Sequence, residues 1–303
     1  MNSITVSVFV LTYNQEIFIG QTIESILMQK TDFDYQLVIG EDFSTDKTRI
    51  ICEEFAEKYP KKIKLLKSLN SNIGLISNYM RTIRECDGKY IAICDGDDYW
   101  IDEFKLQKQV DILEKNPDYS IVYTKVKRLF PNGEIKESIV KNRKQVANFA
   151  DLVHDNFIPS VSVLFRNKQN VMKLPDWIIN FPYGDWPTYL WTIKDSGAIY
   201  FLDQTTAVYR MGIGESFKIR EVNSDIVKVN LGILDKMLSD SSFKKHLKII
   251  TEVIREKEIN LMSSFNREKK YLKGFWLFLQ NILKNSHKGK VIKMYFYSIR
   301  KSF

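Results

Sequence analysis

The sequence predicts an α/β protein, a doubly wound and mostly parallel sheet followed by a helical C-terminal extension. Three observations carry this. Apolar runs at residues 6–11, 35–40, 63–67 and 90–94 are separated by helix-period stretches over 17–29, 46–58 and 77–86. The first, second and fourth runs are continuously apolar rather than alternating, as in strands buried on both faces of a parallel sheet. From about residue 221 onward the pattern is helical throughout.

The elements follow in order. Strands joined by helices imply right-handed crossovers. Residues 104–115 form an amphipathic helix with Leu106, Val110 and Leu113 on one side, ended by Asn116-Pro117-Asp118. Runs 119–130 and 134–140 flank Pro131-Asn132-Gly133, a hairpin signal in which Pro131 lengthens the turn. Residues 160–166 and 198–203 read as further strands, with a helix over 184–195 between them. The expected division is a catalytic domain over 1–220, with halves 1–100 and 101–220, and a basic helical region over 221–303. With no low-complexity linker, that region is expected to pack on the α/β core.

Composition excludes several classes. At 44% hydrophobic and 27% charged, the chain is globular rather than disordered. Its start has no basic n-region and no small-residue cleavage site, so it reads as a strand and not as a signal peptide. Nowhere do 18 apolar residues run together, so no membrane-spanning helix is expected. Cys52, Cys86 and Cys94 lie in helix- or strand-like segments, which predicts burial rather than a disulfide or a metal site. His154, His246 and His287 lack zinc-ligand spacing. The net charge of +8 sits in the tail, where residues 241–303 hold 15 Lys+Arg against 4 Asp+Glu.

Polar residues interrupt the pattern at the strand ends, where ligands bind in doubly wound sheets. Thr12-Tyr13-Asn14 follows the first strand, Glu41-Asp42 the second, and Asp95-Gly96-Asp97-Asp98 the fourth. Three carboxylates within four residues repel one another and resist desolvation unless water or a cation compensates. Hard oxygen ligands suit a divalent cation such as Mg²⁺, and Gly96 lets the backbone fold so that they converge. A solvated Asp-Gly turn is the competing reading of the same residues.

These segments resemble glycosyltransferase family 2. The resemblance rests on residues 6–14, on Glu41-Asp42-Phe43-Ser44-Thr45-Asp46, on Asn72-Ile73-Gly74 and on Asp95-Gly96-Asp97-Asp98-Tyr99-Trp100, and it extends over roughly residues 4–215. It implies a GT-A fold and transfer of a sugar, with inversion, from a nucleotide-sugar. By this resemblance Leu11, Thr12, Tyr13 and Asn14 line the nucleobase pocket, with Tyr13 stacked on the base. Asp42 accepts a hydrogen bond from the base, whereas its neighbour Glu41 serves structure. Asn72 and Gly74 lie near the ribose and diphosphate. Asp95, with Gly96, approaches the ribose or a water on the cation, and Asp97 ligates Mn²⁺ or Mg²⁺. Asp98 is an alternative or additional ligand.

The second half supplies the acceptor side. Asp185, in Phe181-Pro182-Tyr183-Gly184-Asp185-Trp186-Pro187, matches the family's catalytic base; in isolation the same acid reads as a helix N-cap. Trp186 packs nearby or touches the acceptor sugar. Val208-Tyr209-Arg210-Met211-Gly212-Ile213-Gly214-Glu215-Ser216 resembles a segment that closes over the diphosphate, but Gly212 stands where a His is expected. Arg210 then pairs with phosphate or anchors the loop, and Gly212 and Gly214 suggest a lid.

The expected partners are a nucleotide-sugar, UDP-linked, and a glycan, lipid-linked or protein-linked acceptor in surface-glycan assembly, at the cytoplasmic face of a membrane. Residues 270–303 carry eight Lys/Arg, no acids and many aromatics. They read either as an interfacial segment for anionic lipid or as helices packing their aromatics inward. Nucleic acid is not expected, and the oligomeric state is unspecified. Two other functions stay open. One is a degenerate binding module; the other is a sugar nucleotidyltransferase, which Thr12-Tyr13-Asn14-Gln15-Glu16, neither Gly-rich nor basic, disfavours.

Overall fold

The structure is a computed structural model that describes residues 4–138, 144–169, 171–213, 222–284 and 288–302. The chain divides into two compact units, Met1–Glu215 and Ser216–Phe303.

The first unit holds ten strands in one sheet among the described residues. The early part alternates as expected: β1 (Val6–Thr12), α1 (Ile19–Leu27), β2 (Tyr35–Glu41), α2 (Thr48–Lys58), β3 (Ile63–Leu65), α3 (Leu75–Ile83) and β4 (Tyr90–Ile93). Then come β5 (Tyr99–Trp100), α4 (Lys105–Lys115), β6 (Tyr119–Leu129), β7 (Ile135–Glu137), β8 (Val146–Ala147), α5 (Phe149–His154), β9 (Leu164–Arg166), α6 (Asp185–Ile193) and β10 (Ala198–Arg210). The order across the sheet is β3-β2-β1-β4-β9-β6-β10-β5, with β7 beside β6 and β8 beside β10. The longer strands run parallel, and β9 lies antiparallel between β4 and β6.

Every residue of β1 is buried, so the absence of alternation in its sequence reports cover on both faces. Val6, Val8 and Val10 share one core with Ile19, Ile23 and Ile26 of α1 and with Leu106, Val110 and Leu113 of α4. Phe9 points the other way and meets Tyr79 of α3 edge-on, with ring centroids 5.0 Å apart. Cys52, Cys86 and Cys94 are all buried and free.

Three expectations are adjusted. The run 160–166 splits into a 3-10 turn, Ser160–Ser162, and the short strand β9. The strand begun at 198 continues to Arg210, because bulges near Thr205 keep it in step with β6. The β6–β7 hairpin forms about Gly133, which takes a left-handed φ of 82°, but residues 139–140 of its second arm lie outside the described residues.

The second unit contains α7 (Asn223–Ser239), α8 (Leu247–Arg267), α9 (Tyr271–Lys284) and α10 (Lys288–Arg300). Ile259, Met262, Val291 and Tyr295 form its buried cluster. Among the described residues no helix is long and apolar enough to cross a membrane.

Candidate functional site

The carboxyl ends of β1, β2 and β4 are tied together by main-chain hydrogen bonds. Thr12 and Glu41 are register partners at the end of the β1–β2 ladder. Just beyond, Asp42 N donates to Thr12 O at 3.1 Å, and Gly96 N donates to Leu11 O at 2.8 Å. Leu11 and Thr12 are buried, Tyr13 is half-buried and Asn14 is exposed. Asn14 adopts a left-handed φ of 51° and Phe43 one of 58°. The first is easily tolerated by Asn; the second strains a residue with a bulky side chain. Cross-loop bonds hold them, since Asn14 N donates to Ser44 Oγ at 3.0 Å and Thr45 N donates to Asn14 Oδ1 at 2.8 Å.

Asp42 organises the third loop. Its Oδ1 accepts from Ile73 N at 2.9 Å, and Asn72 Nδ2 donates to its carbonyl at 3.0 Å. Gly74, at φ 84°, starts α3. Glu41 is structural: its Oε1 accepts from Ser44 N at 2.6 Å, and Arg49 lies 3.8 Å from its other oxygen.

The turn after β4 is buried rather than solvated. Asp95 is half-buried, and loss of solvent around its carboxyl, reinforced by Asp97, pushes it up to about 7, against a bond from Ser160 Oγ at 3.1 Å. Asp98 is 1% exposed, and burial raises its carboxyl too. Its Oδ1 accepts from Arg210 N at 2.8 Å, while Oδ2 is buried without a partner. Asp97, at 9%, is the more open of the pair, and burial raises its affinity for a proton against the opposing charge of Arg210. Thr22 of α1 donates to the carbonyls of Gly96 and Asp98, fixing the turn from below.

Gly96 corrects an expectation. Its φ is not left-handed; the glycine is needed because a Cβ there would stand 2.4 Å from Gln15 Oε1 and 2.8 Å from the Leu11 carbonyl. The absence of a side chain lets the carboxylate turn lie directly on β1.

On the other side, the 3-10 turn before β9 brings Ser160 to Asp95. Asp185 is the first residue of α6, behind Gly184 as N-cap, so it does not cap the helix itself. Its Oδ2 accepts from Asn156 Nδ2 at 2.9 Å, and its charge contributes to the upward shift of Asp95. Tyr79 seats the start of α6: its hydroxyl bonds Thr188 at 3.1 Å, and its ring lies where a Cβ on Gly184 would fall, 2.6 Å away. Asp95 and Asp185 thus face one region from different halves of the unit. Asn156, Ser160 and Tyr79 were not among the expected residues, and no local pattern singles them out.

Two tentative assignments resolve toward structure. Trp186 is 1% exposed and its indole N–H donates to Leu152 O at 2.9 Å, so it packs α6 onto α5 and does not face an acceptor. Arg210 is 7% exposed, with its guanidinium 4.7 Å from the ring centroids of both Phe18 and Tyr99. It donates to the Asp97 carbonyl and to Gln21 Oε1. Those bonds anchor the strand end to the carboxylate turn in place of reaching for a phosphate. Gly212 follows with φ 77°, and the expected lid residues from Gly214 onward lie outside the described residues.

A separate cavity of about 500 Å³ is lined by Tyr123, Phe157, Lys144, Asp151 and His154, among others. Tyr123 and Phe157 are in ring contact at 5.7 Å, and Lys144 pairs with Asp151 at 2.7 Å. Phe157 adjoins Asn156, the partner of Asp185.

A sheet of this order, with an acidic turn at the end of β4 and a second acid at the head of α6, defines the GT-A class of α/β folds. Residues 7–168 match the family model described as Glycosyl transferase family 2, and the chain belongs to that family. An uncharacterized protein of Mycobacterium tuberculosis is 30% identical over 211 residues, covering 67% of this chain and 58% of its own length. The dTDP-rhamnosyl transferase RfbG of Shigella flexneri is 28% identical over 233 residues, 72% of this chain and 78% of its own. Among solved structures, S. aureus TarS 1-349 in complex with UDP-GlcNAc superposes with a TM-score of 0.65 at 17% identity, covering 98% of this chain and 91% of that one. The mannosyltransferase PcManGT from Pyrobaculum calidifontis, in complex with GDP-Man and Mn²⁺, gives 0.60 at 15% identity, covering 99% and 84%. At such identities these structures speak to fold.

Proposed function

We propose that the chain is an inverting glycosyltransferase that moves a sugar from a UDP-sugar to a glycan or lipid-linked acceptor. The observation that carries this reading is the pairing of a buried acidic turn, Asp95 to Asp98, with Asp185 across one site whose floor is the end of β1. Membership of the family supports it, as do a relative named as a rhamnosyl transferase and a neighbour named as a mannosyltransferase.

The residues present suit a divalent cation. No cluster of three or more His, Cys, Asp or Glu positioned to hold a metal occurs among the described residues. Mg²⁺-type ions at diphosphate sites use one or two carboxylates, with substrate oxygens and water completing the shell. Asp97 is the carboxylate that would hold the ion, because it is the more open of the two and one oxygen of Asp98 already accepts from Arg210 N. The partnerless buried atoms Thr12 Oγ1, Gln15 Oε1 and Asp98 Oδ2 lie around the same turn and await polar partners. When bound, Mn²⁺ or Mg²⁺ supplies positive charge against the departing diphosphate.

The chain's own residues do the rest. Tyr13 offers a stacking face to the base, a contact worth ~1–3 kcal/mol. The loop that Asp42 holds against Asn72 and Gly74 flanks the ribose and diphosphate. Asp185 takes the proton from the acceptor hydroxyl as its oxygen bonds to the anomeric carbon. The carbon–oxygen bond to the diphosphate breaks with its electron pair on the leaving group, and configuration inverts. Asn156 holds the Asp185 carboxylate in aim.

Titration calorimetry with UDP in the presence of Mn²⁺ tests the donor site. The wild type is expected to bind, and Asp97→Ala to weaken binding by about a hundredfold, the loss of one charge-assisted contact. Equal binding with and without Mn²⁺ in both proteins would remove the cation from the proposal.

A further inference from the structure

The second unit leaves an apolar stripe uncovered on α9. Leu272, Trp276, Leu279 and Leu283 recur at intervals of four, three and four residues, which places them along one face of a helix. Their exposures are 87, 66, 45 and 85%. The opposite face is the packed one, where Gly274 and Asn281 are buried. Gly274 permits a close crossing of α8, since a Cβ there would meet Asn266 Oδ1 at 2.0 Å.

The next helix repeats the arrangement. On α10, Val291, Tyr295 and Ser298 are buried, whereas Ile292 and Phe296 are 42 and 62% exposed. Phe278 and Tyr295 stack at 4.4 Å between the two helices. Part of the aromatic content of residues 270–303 therefore packs inward, as one sequence reading held, and the rest faces outward.

Charge says what covers this surface. Helical spacing sets Lys273 along one border of the α9 stripe, and Lys293 and Arg300 along one border of the Ile292–Phe296 pair, whereas Lys284 on the same border of α9 is paired with Glu258 of α8 at 3.2 Å. No acid occurs from residue 270 to the end. Apolar side chains flanked by basic ones, on helices too short and too charged to span, fit the headgroup boundary of an anionic bilayer. We infer that α9 and α10 form a membrane-docking face that inserts Leu272, Trp276, Leu283 and Phe296 beneath anionic headgroups. This inference stands apart from the transfer chemistry and survives the failure of that reading.

Sedimentation of the full chain with vesicles tests it. Vesicles of phosphatidylcholine containing one-third phosphatidylglycerol are expected to carry down at least about tenfold more protein than phosphatidylcholine alone, since basic residues near the surface are drawn to anionic lipid. Trp276→Glu with Leu283→Glu, both at exposed positions, is expected to abolish binding with the melting temperature unchanged. Lys273→Glu with Lys293→Glu is expected to remove the preference for phosphatidylglycerol. Failure of the wild type to sediment, or undiminished binding of the Trp276→Glu/Leu283→Glu variant, overturns the inference. So does a dimer in solution that this variant converts to monomer, because a second copy then covers the face.

Discussion

At the scale of single residues, the neighbouring carboxylates of the candidate site have different surroundings. Asp98 is tied to the main chain of β10, Asp95 is half-buried and bonded by Ser160, and Asp97 is buried but more open than Asp98. Asp185 is distinguished by its place at the first turn of α6 and by Asn156. If it is the base, Asp185→Asn lowers kcat of transfer by ~10²–10⁴ while UDP binding in Mn²⁺ is unchanged. Initial rates beside calorimetry check this, and full transfer activity in that variant would refute the role. Asn156→Ala is expected to lower kcat less and to shift the acid limb of the pH–rate profile, as befits a positioning residue. Much of this was legible early, because Asp95, Asp97 and Asp185 break apolar or aromatic surroundings. Asn156, Ser160 and Tyr79 were not, since each acts on a partner between 29 and 109 positions away and carries no local pattern.

At the scale of elements, the parallel strands could be read closely from sequence because burial on both faces leaves uninterrupted apolar runs. Two-residue β5 could not, as its strand character comes from pairing with Ala207 and Val208. Helix α4 contains a further departure from pattern. Lys105 is fully buried, its Nζ donating to Gln109 Oε1 at 2.8 Å and lying 4.2 Å from the Trp100 ring centroid. Burial depresses its ammonium to about 7. An unfolded Lys titrates near ~10.4, so between about pH 7 and 10 the unfolded chain holds a proton that the folded one lacks. Stability from this group therefore rises with pH across that window, and the cost of charging it is complete below. Replacing Lys105 with Met removes the term. In denaturant melts the variant's advantage is expected to be largest near about pH 6 and to shrink by up to ~1.4 kcal/mol per pH unit above 7. A pH-independent difference would dispose of this account.

At the scale of the whole molecule, two units carry separate duties. The first holds the candidate chemistry, and the second presents the basic apolar face. Ligand linkage offers a way to see this separation. If the proposed donor site holds, UDP with Mn²⁺ at a hundred times its Kd is expected to stabilise the wild type by ~2.7 kcal/mol. The resulting rise in melting temperature is expected to persist in Trp276→Glu/Leu283→Glu and to shrink to that of ~0.4 kcal/mol in Asp97→Ala at the same ligand concentration, as differential scanning fluorimetry reads out. The latch between Asp98 and Arg210 has a consequence for how the protein is made. Asp98 leaves the ribosome 112 residues before the N–H that receives its carboxylate. At roughly 5–20 residues per second the interval is on the order of ten seconds. Throughout it the acidic turn has neither that hydrogen bond nor the guanidinium that offsets its charge. The nascent first half therefore carries an open, water-accessible turn, and the site closes only once the last long strand of the sheet has been synthesised and laid in place.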